Sequence, residues 1–126
     1  MHATPPEKPL LGCRLLIVED NYFVAQTIID AVQDAGGQVI GPFTTMIEAL
    51  THLTAIDGAI LDIGLDREES YPLADALRTT QIPFMFLTGV AKSQLPEQFA
   101  RTPHMSKPFS GRALVEMLVQ IGVHRD

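Results

Sequence analysis

The chain has 126 residues, 46% of them hydrophobic and 19% charged, the size and balance of one compact domain around a single core. Nine Lys and Arg against fifteen Asp and Glu leave a formal net charge of −6, which argues against nucleic-acid binding and against docking on an anionic membrane, since both need clustered positive charge. No apolar run reaches the roughly 20 residues of a bilayer span, and one cysteine, Cys13, makes neither an internal disulfide nor a cysteine-built zinc site.

Residues 1–12 carry Pro5, Pro6 and Pro9 without periodicity and read as a flexible tail, so the folded domain spans 13–126. The start has neither the basic residues nor the long apolar segment of a secretory signal, and a reducing, cytoplasmic setting is expected. Cys13 is expected half-buried, just ahead of a strand. Arg14 to Val18 is a nearly continuous apolar run, the mark of a strand covered on both faces. "NYFVAQTIIDAVQDAGG" then sets Val24, Ile28, Val32 and Ala35 at helical spacing, ended by Gly36-Gly37. "QVIGPF" is a second strand, stopped by Gly41-Pro42, and "TTMIEALTHL" puts Met46, Ala49, Leu50 and Leu53 on one helical face. "GAILDIGL" is a third strand. "SYPLADALRTT" is a helix with Ser70 as cap and Pro72 in its first turn. "IPFMFLTG" is the fourth strand. Pro96 makes any helix within 91–101 short or irregular. "PHMS" is a fifth strand, at a sheet edge because of Pro103, and "SGRALVEMLVQIG" closes the chain with Leu114, Leu118 and Ile121 on one stripe.

Five strands alternating with helices imply an open parallel sheet with helices on both faces, and the flavodoxin-like (βα)5 order 2-1-3-4-5 is the expected topology. In such a sheet every strand's carboxyl end lies on one edge, where ligands bind. Four of the five strands end there in polar chemistry: Glu19 and Asp20, Asp62, Thr88, and Lys107. Each alone would be an ordinary solvated charge, or in the case of Asp20 a helix N-cap. Together they imply a cleft. Three carboxylates in it repel unless a cation joins them, and all-oxygen ligands suit Mg2+ or Mn2+. Lys107 and Thr88 add a charge and a hydrogen-bond donor for phosphoryl oxygens, and Asp62 is then a candidate nucleophile.

"LIVEDN", "LDIGL", "LTG" and "SKPF", in this order and spacing, resemble the receiver domain of two-component response regulators over about residues 13–123. The resemblance implies Asp62 as phosphoacceptor, Mg2+ (or Mn2+) held by Glu19, Asp20, Asp62 and the Gly64 carbonyl, and Thr88, Lys107 and the Gly64 and Gly89 backbone at the phosphoryl group. It implies a sensor histidine kinase or a histidine phosphotransfer protein as donor, and a downstream protein as reader. "PFMFLTGV", "LPEQF" and "KPF" are closest to the FATGUY subclass, with Leu87 and Val90 departing from its pattern. His104 stands where ordinary receivers carry the aromatic residue that reorients on activation.

The chain would then be a single-domain, stand-alone receiver acting as adaptor, relay or phosphate sink. It is not an enzyme in the ordinary sense but a self-phosphorylating acceptor, with self-dephosphorylation expected. The alternative is a binding module that keeps the fold without the phosphoryl chemistry. A phosphatase of the haloacid dehalogenase type is disfavoured, because Gly64 stands where its second acid would be.

Overall fold

The computed structural model describes residues 8–63, 67–89 and 97–125. Five strands, β1 (Arg14–Val18), β2 (Gln38–Phe43), β3 (Gly58–Asp62), β4 (Phe84–Thr88) and β5 (His104–Ser106), pair in parallel as one sheet of order β2-β1-β3-β4-β5. This is the flavodoxin-like order expected from the alternation of strands and helices. The helices are α1 (Tyr22–Asp34), α2 (Met46–Ala49, prolonged by a 3-10 turn at Leu50–His52), α3 (Arg67–Thr79) and α4 (Gly111–Gln120). A 3-10 turn at Glu97–Phe99 stands in the stretch where Pro96 forecast a short or irregular helix; residues 90–96 lie outside the described residues.

Both sheet faces are covered, which is why the strands read as unbroken apolar runs. Leu15, Ile17, Ile60, Met85 and Leu87 pack with Ile28 and Val32 of α1 and Leu114 and Leu118 of α4. Their alternates, Leu16, Val18, Ala59, Leu61, Phe84 and Phe86, pack with Met46 of α2, Leu73, Ala74 and Leu77 of α3, and Phe99. Each of the larger side chains buried here contributes about 1.5–3 kcal/mol. The strands are thus clamped from two sides, and their carboxyl ends form one rigid rim.

Several local expectations change. β2 does not stop at Gly41-Pro42 but continues to Phe43, with a register shift against β1 between Leu16 and Val18. Gly41 sits at φ +111°, and a Cβ there would lie 2.8 Å from the Ile17 carbonyl oxygen, so only glycine lets the two backbones approach. α3 begins at Arg67, so Ser70 lies inside the helix rather than capping it, and Pro72 is interior. The bond that Pro72 cannot donate is outweighed by the burial of Leu73, Ala74 and Leu77. The N-cap of α1 is Asn21, whose side chain accepts from the Val24 N–H, and not Asp20. Cys13 is fully buried rather than half-buried, and burial pushes its thiol pKa up.

Residues 8–12 of the segment read as a tail are packed onto the domain. Leu10 is buried, its N–H donates to the Ala35 carbonyl at 2.9 Å, and the Gly12 N–H donates to Gly36. Residues 1–7 lie outside the described residues.

Candidate phosphoryl and metal site

β1 and β3 are neighbours in register, Val18 opposite Leu61, so the residues that follow Val18 emerge level with Asp62. Glu19 and Asp20 then diverge. Glu19 turns inward and is 2% exposed, while Asp20 is exposed to solvent. The bulge in β2 fixes the first of these. It brings the Phe43 carbonyl to the Glu19 N–H at 2.9 Å, and the Glu19 Oε2 accepts from the Asn21 N–H at 3.1 Å. The end of the edge strand therefore holds the Glu19 backbone, and the residue that caps α1 holds its carboxylate.

On the other side of β3, Asp62 is followed by Ile63, whose N–H donates to the Leu87 carbonyl and ties the β3 exit to β4. Thr88 ends β4 and is fully buried. Its carbonyl accepts from the Lys107 N–H at 3.0 Å, which places Lys107 just beyond β5. The lysine side chain reaches back across the rim. Its Nζ lies 3.1 Å from Glu19 Oε1 and 3.2 Å from Asp62 Oδ1.

One carboxylate oxygen from each of Glu19, Asp20 and Asp62 lies within 4.8 Å of the other two. Burial, and then the Asp62 hydrogen bond and charge, push the Glu19 pKa up to about 7, against the lowering effects of the Asn21 N–H and Lys107. For Lys107, burial is the largest effect and lowers the pKa. The hydrogen bonds and charges of Glu19 and Asp62 outweigh it, and the ammonium is held above its ordinary value. One cation thus serves two acids, Glu19 and Asp62. Glu19 Oε1 and Asp62 Oδ1 are buried without an aligned hydrogen-bond donor, Lys107 meeting them as an ion pair. Under-satisfied, all-oxygen and closely spaced, this set fits a hard divalent cation of the Mg2+ kind.

Of the residues singled out in the sequence, Glu19, Asp20, Asp62 and Lys107 meet in one cluster, with Thr88 at the adjoining strand end. Gly89 follows Thr88 and is exposed, with open space where a Cβ would stand. Gly64 lies outside the described residues. His104 is half-buried at the start of β5 opposite Phe86, at the other end of that strand from Lys107. Two contributors were not foreseen, Asn21 and the Phe43 carbonyl. Asn21 carried a signal, since asparagine caps helices as readily as aspartate. The Phe43 carbonyl carried none, because backbone groups have no sequence signature. Tyr22 and Phe23, in the first turn of α1 beside this cluster, are both largely exposed and meet edge to face at 5.6 Å.

A parallel doubly wound sheet with a lysine-bridged acidic cluster at its carboxyl rim defines the CheY-like class of domains. No family model matches the sequence, and no curated protein does. Solved structures do. SdrG from Sphingomonas melonis Fr1 is 31% identical, with TM-score 0.76, over 87% of this chain and 96% of its own. The BeF3-activated conformation of SdrG from Pseudomonas melonis Fr1 is 34% identical, with TM-score 0.71, over 84% and 92%. The chemotaxis response regulator CheY4 of Vibrio cholerae shares the fold at 21% identity and TM-score 0.73, over 87% and 98%. The chain belongs to the response-regulator receiver family.

Proposed function

We propose that this protein accepts a phosphoryl group on Asp62 from the phosphohistidine of a sensor histidine kinase or a histidine phosphotransfer protein. The observation that carries this is the cluster itself: Asp62 Oδ1 lies 3.2 Å from the Lys107 ammonium, and one oxygen from each of Asp62, Glu19 and Asp20 lies within 4.8 Å of the other two. A carboxylate oxygen of Asp62 attacks phosphorus, the P–N bond breaks, and its electron pair returns to the imidazole of the donor. Lys107 balances the charge of the transferring oxygens, and the Thr88 hydroxyl, at the neighbouring strand end, donates to one of them. Glu19, Asp20 and Asp62, with the Gly64 carbonyl, would hold Mg2+ or Mn2+. The ion supplies charge neutralisation for the phosphoryl oxygens. A cytoplasmic location and membership of the FATGUY subclass go with this reading. Support comes from "PFMFLTGV" and "KPF", and from SdrG, which adopts a BeF3-activated conformation.

The test is intact-protein mass after incubation with acetyl phosphate or phosphoramidate, with and without Mg2+, beside Asp62→Asn. A single phosphoryl adduct that requires Mg2+ and is missing from the variant is expected. Failure to form that adduct, together with failure to bind Mg2+ and beryllofluoride, would leave a binding module that keeps the receiver fold without its chemistry. The same experiment, followed over time, reads the rate of self-dephosphorylation.

A further inference from the structure

At the amino ends of β4 and β5, on the sheet edge opposite the phosphoryl rim, the surface holds a groove of about 520 Å3. Arg78 and Gln81 line it from the end of α3, and Arg101 and Thr102 line it from the approach to β5. Ile82 and Ile121, both half-buried, give the lining an apolar part. The polar side chains here are donors. A guanidinium can only donate, and the Gln81 amide and the Thr102 hydroxyl each carry a donor as well as an acceptor. The backbone acceptors are engaged inside the sheet. The Pro83 carbonyl accepts from the Ala59 N–H at 3.1 Å, and the Pro103 carbonyl accepts from the Phe86 N–H at 2.9 Å. No Asp or Glu is among the described residues that line the groove, although the chain has fifteen acids against nine Lys and Arg. Its surroundings also fix its shape. The Gln81 N–H donates to the Arg78 carbonyl at 3.1 Å, with Gln81 at φ +62°, and the Thr102 N–H donates to the Phe99 carbonyl at 3.0 Å. The Arg78 guanidinium stands 5.8 Å from the centre of the Phe99 ring, which anchors it. Arg78 Nη1 is also 3.9 Å from Asp75 Oδ1, both side chains being about half exposed, a solvated pair that an incoming carboxylate can share.

We propose that this groove docks an acidic peptide segment of a partner protein, one in which acids flank an apolar residue. Each guanidinium offers a planar fork of N–H groups that meets a carboxylate with two parallel hydrogen bonds. The apolar part of the lining takes the residue between the acids. A free phosphate would use the arginines and leave that part wet, so the mixed lining favours a peptide. The volume falls within the roughly 300–1,000 Å3 of ordinary ligand sites. From Phe84 at the groove to Thr88 at the rim, β4 runs about 13 Å. A segment held in the groove therefore leaves Asp62 and its cluster uncovered.

The test is NMR titration of the 15N-labelled full chain with the blocked peptide acetyl-Glu-Glu-Leu-Glu-Glu-amide. The side-chain Nε–H resonances of Arg78 and Arg101 and the amides of Gln81 and Thr102 should shift together and saturate. The matching peptide with Gln for every Glu should leave them in place, and inorganic phosphate should bind more weakly than the acidic peptide. Arg78→Gln with Arg101→Gln should weaken peptide binding by about 10-fold, and Arg101→Gln alone by about 3-fold should the double variant not fold. Arg112→Gln should leave binding unchanged, since that exposed arginine pairs with Glu116 on α4 outside the groove. Shifts that are absent, that spread over the whole surface, or that persist in the folded arginine variants would overturn the proposal. Equal binding of phosphate would overturn it in favour of a simple anion site. Self-association through the groove, seen as concentration-dependent shifts of the same resonances without peptide, would overturn it in favour of a second copy of the chain.

Discussion

The Lys107 ammonium lies 3.2 Å from Asp62 Oδ1 while sharing itself with Glu19 Oε1 at 3.1 Å. This one cation separates two carboxylates that would otherwise face each other with no compensating charge. It is partly exposed, whereas the Glu19 side chain it neutralises is fully buried. The arrangement suits transfer of a charged group better than it suits stability.

Replacing Lys107 with Met should therefore act on both properties. The metal-free protein at pH 8 should lose about 1–3 kcal/mol of unfolding free energy, since the buried Glu19 carboxylate is left beside Asp62 without a counter-charge. The loss should shrink below pH 6, where Glu19 takes up a proton. Urea denaturation at the two pH values measures it. Phosphoryl uptake from acetyl phosphate should slow by about 100-fold, the usual scale for losing one charge-stabilising donor.

The raised Glu19 pKa has its own pH signature. Between its ordinary value of 4.5 and about 7, the folded protein keeps a proton that the unfolded chain has released. The unfolded state then binds fewer protons, so this group makes the metal-free protein less stable as pH rises through that window. A cation needs the carboxylate ionised, so affinity for Mg2+ should rise with pH up to about 7 and level off above it. Calorimetric titration with Mg2+ at pH 6 in two buffers of different ionisation enthalpy should show a proton released on binding. Equal heats in both would contradict the shift.

Asp62→Asn should stabilise the metal-free protein while abolishing the adduct. Removing the Asp62 charge removes one of the causes that raise the Glu19 pKa, and Lys107 keeps Glu19 as its partner. A gain of about 1 kcal/mol at pH 8 is expected from the relieved repulsion, read as a higher urea midpoint. The same variant should bind Mg2+ more weakly than the parent protein.

Gly58 offers a control remote from the site. A Cβ there would fall 2.6 Å from Val123 Cγ2 and 3.1 Å from Leu15 Cδ1, where the chain end packs on the start of β3. Gly58→Ala should cost about 1–3 kcal/mol through overpacking. It should leave the stoichiometry of the phosphoryl adduct unchanged in the folded fraction, which denaturation and intact mass together would show.

The amino-acid sequence by itself determined the sheet. Apolar runs such as Leu15–Val18 and Phe84–Leu87 need cover on both faces, and their alternation with helical stripes leaves few topologies, of which the order 2-1-3-4-5 was the one expected. It also determined which residues reach the carboxyl rim, because parallel strands all expose their carboxyl ends on one edge and Asp62, Thr88 and Lys107 stand at those ends. Elements whose limits depend on packing rather than local preference were not legible in this way. α3 runs through Pro72 because its buried face outweighs one missing hydrogen bond, and Leu10 is drawn under the end of α1 despite the prolines around it. Nor did the sequence separate Glu19 from Asp20, which are chemically alike and adjacent. Only the tertiary structure decided that Glu19 is buried and Asp20 exposed. The Phe43 carbonyl, brought in by the β2 bulge, and the Asn21 N–H fix the first acid inside the rim, where desolvation and Asp62 raise its pKa. The Phe43 carbonyl lies on a different strand, and no local pattern around Glu19 could have named it.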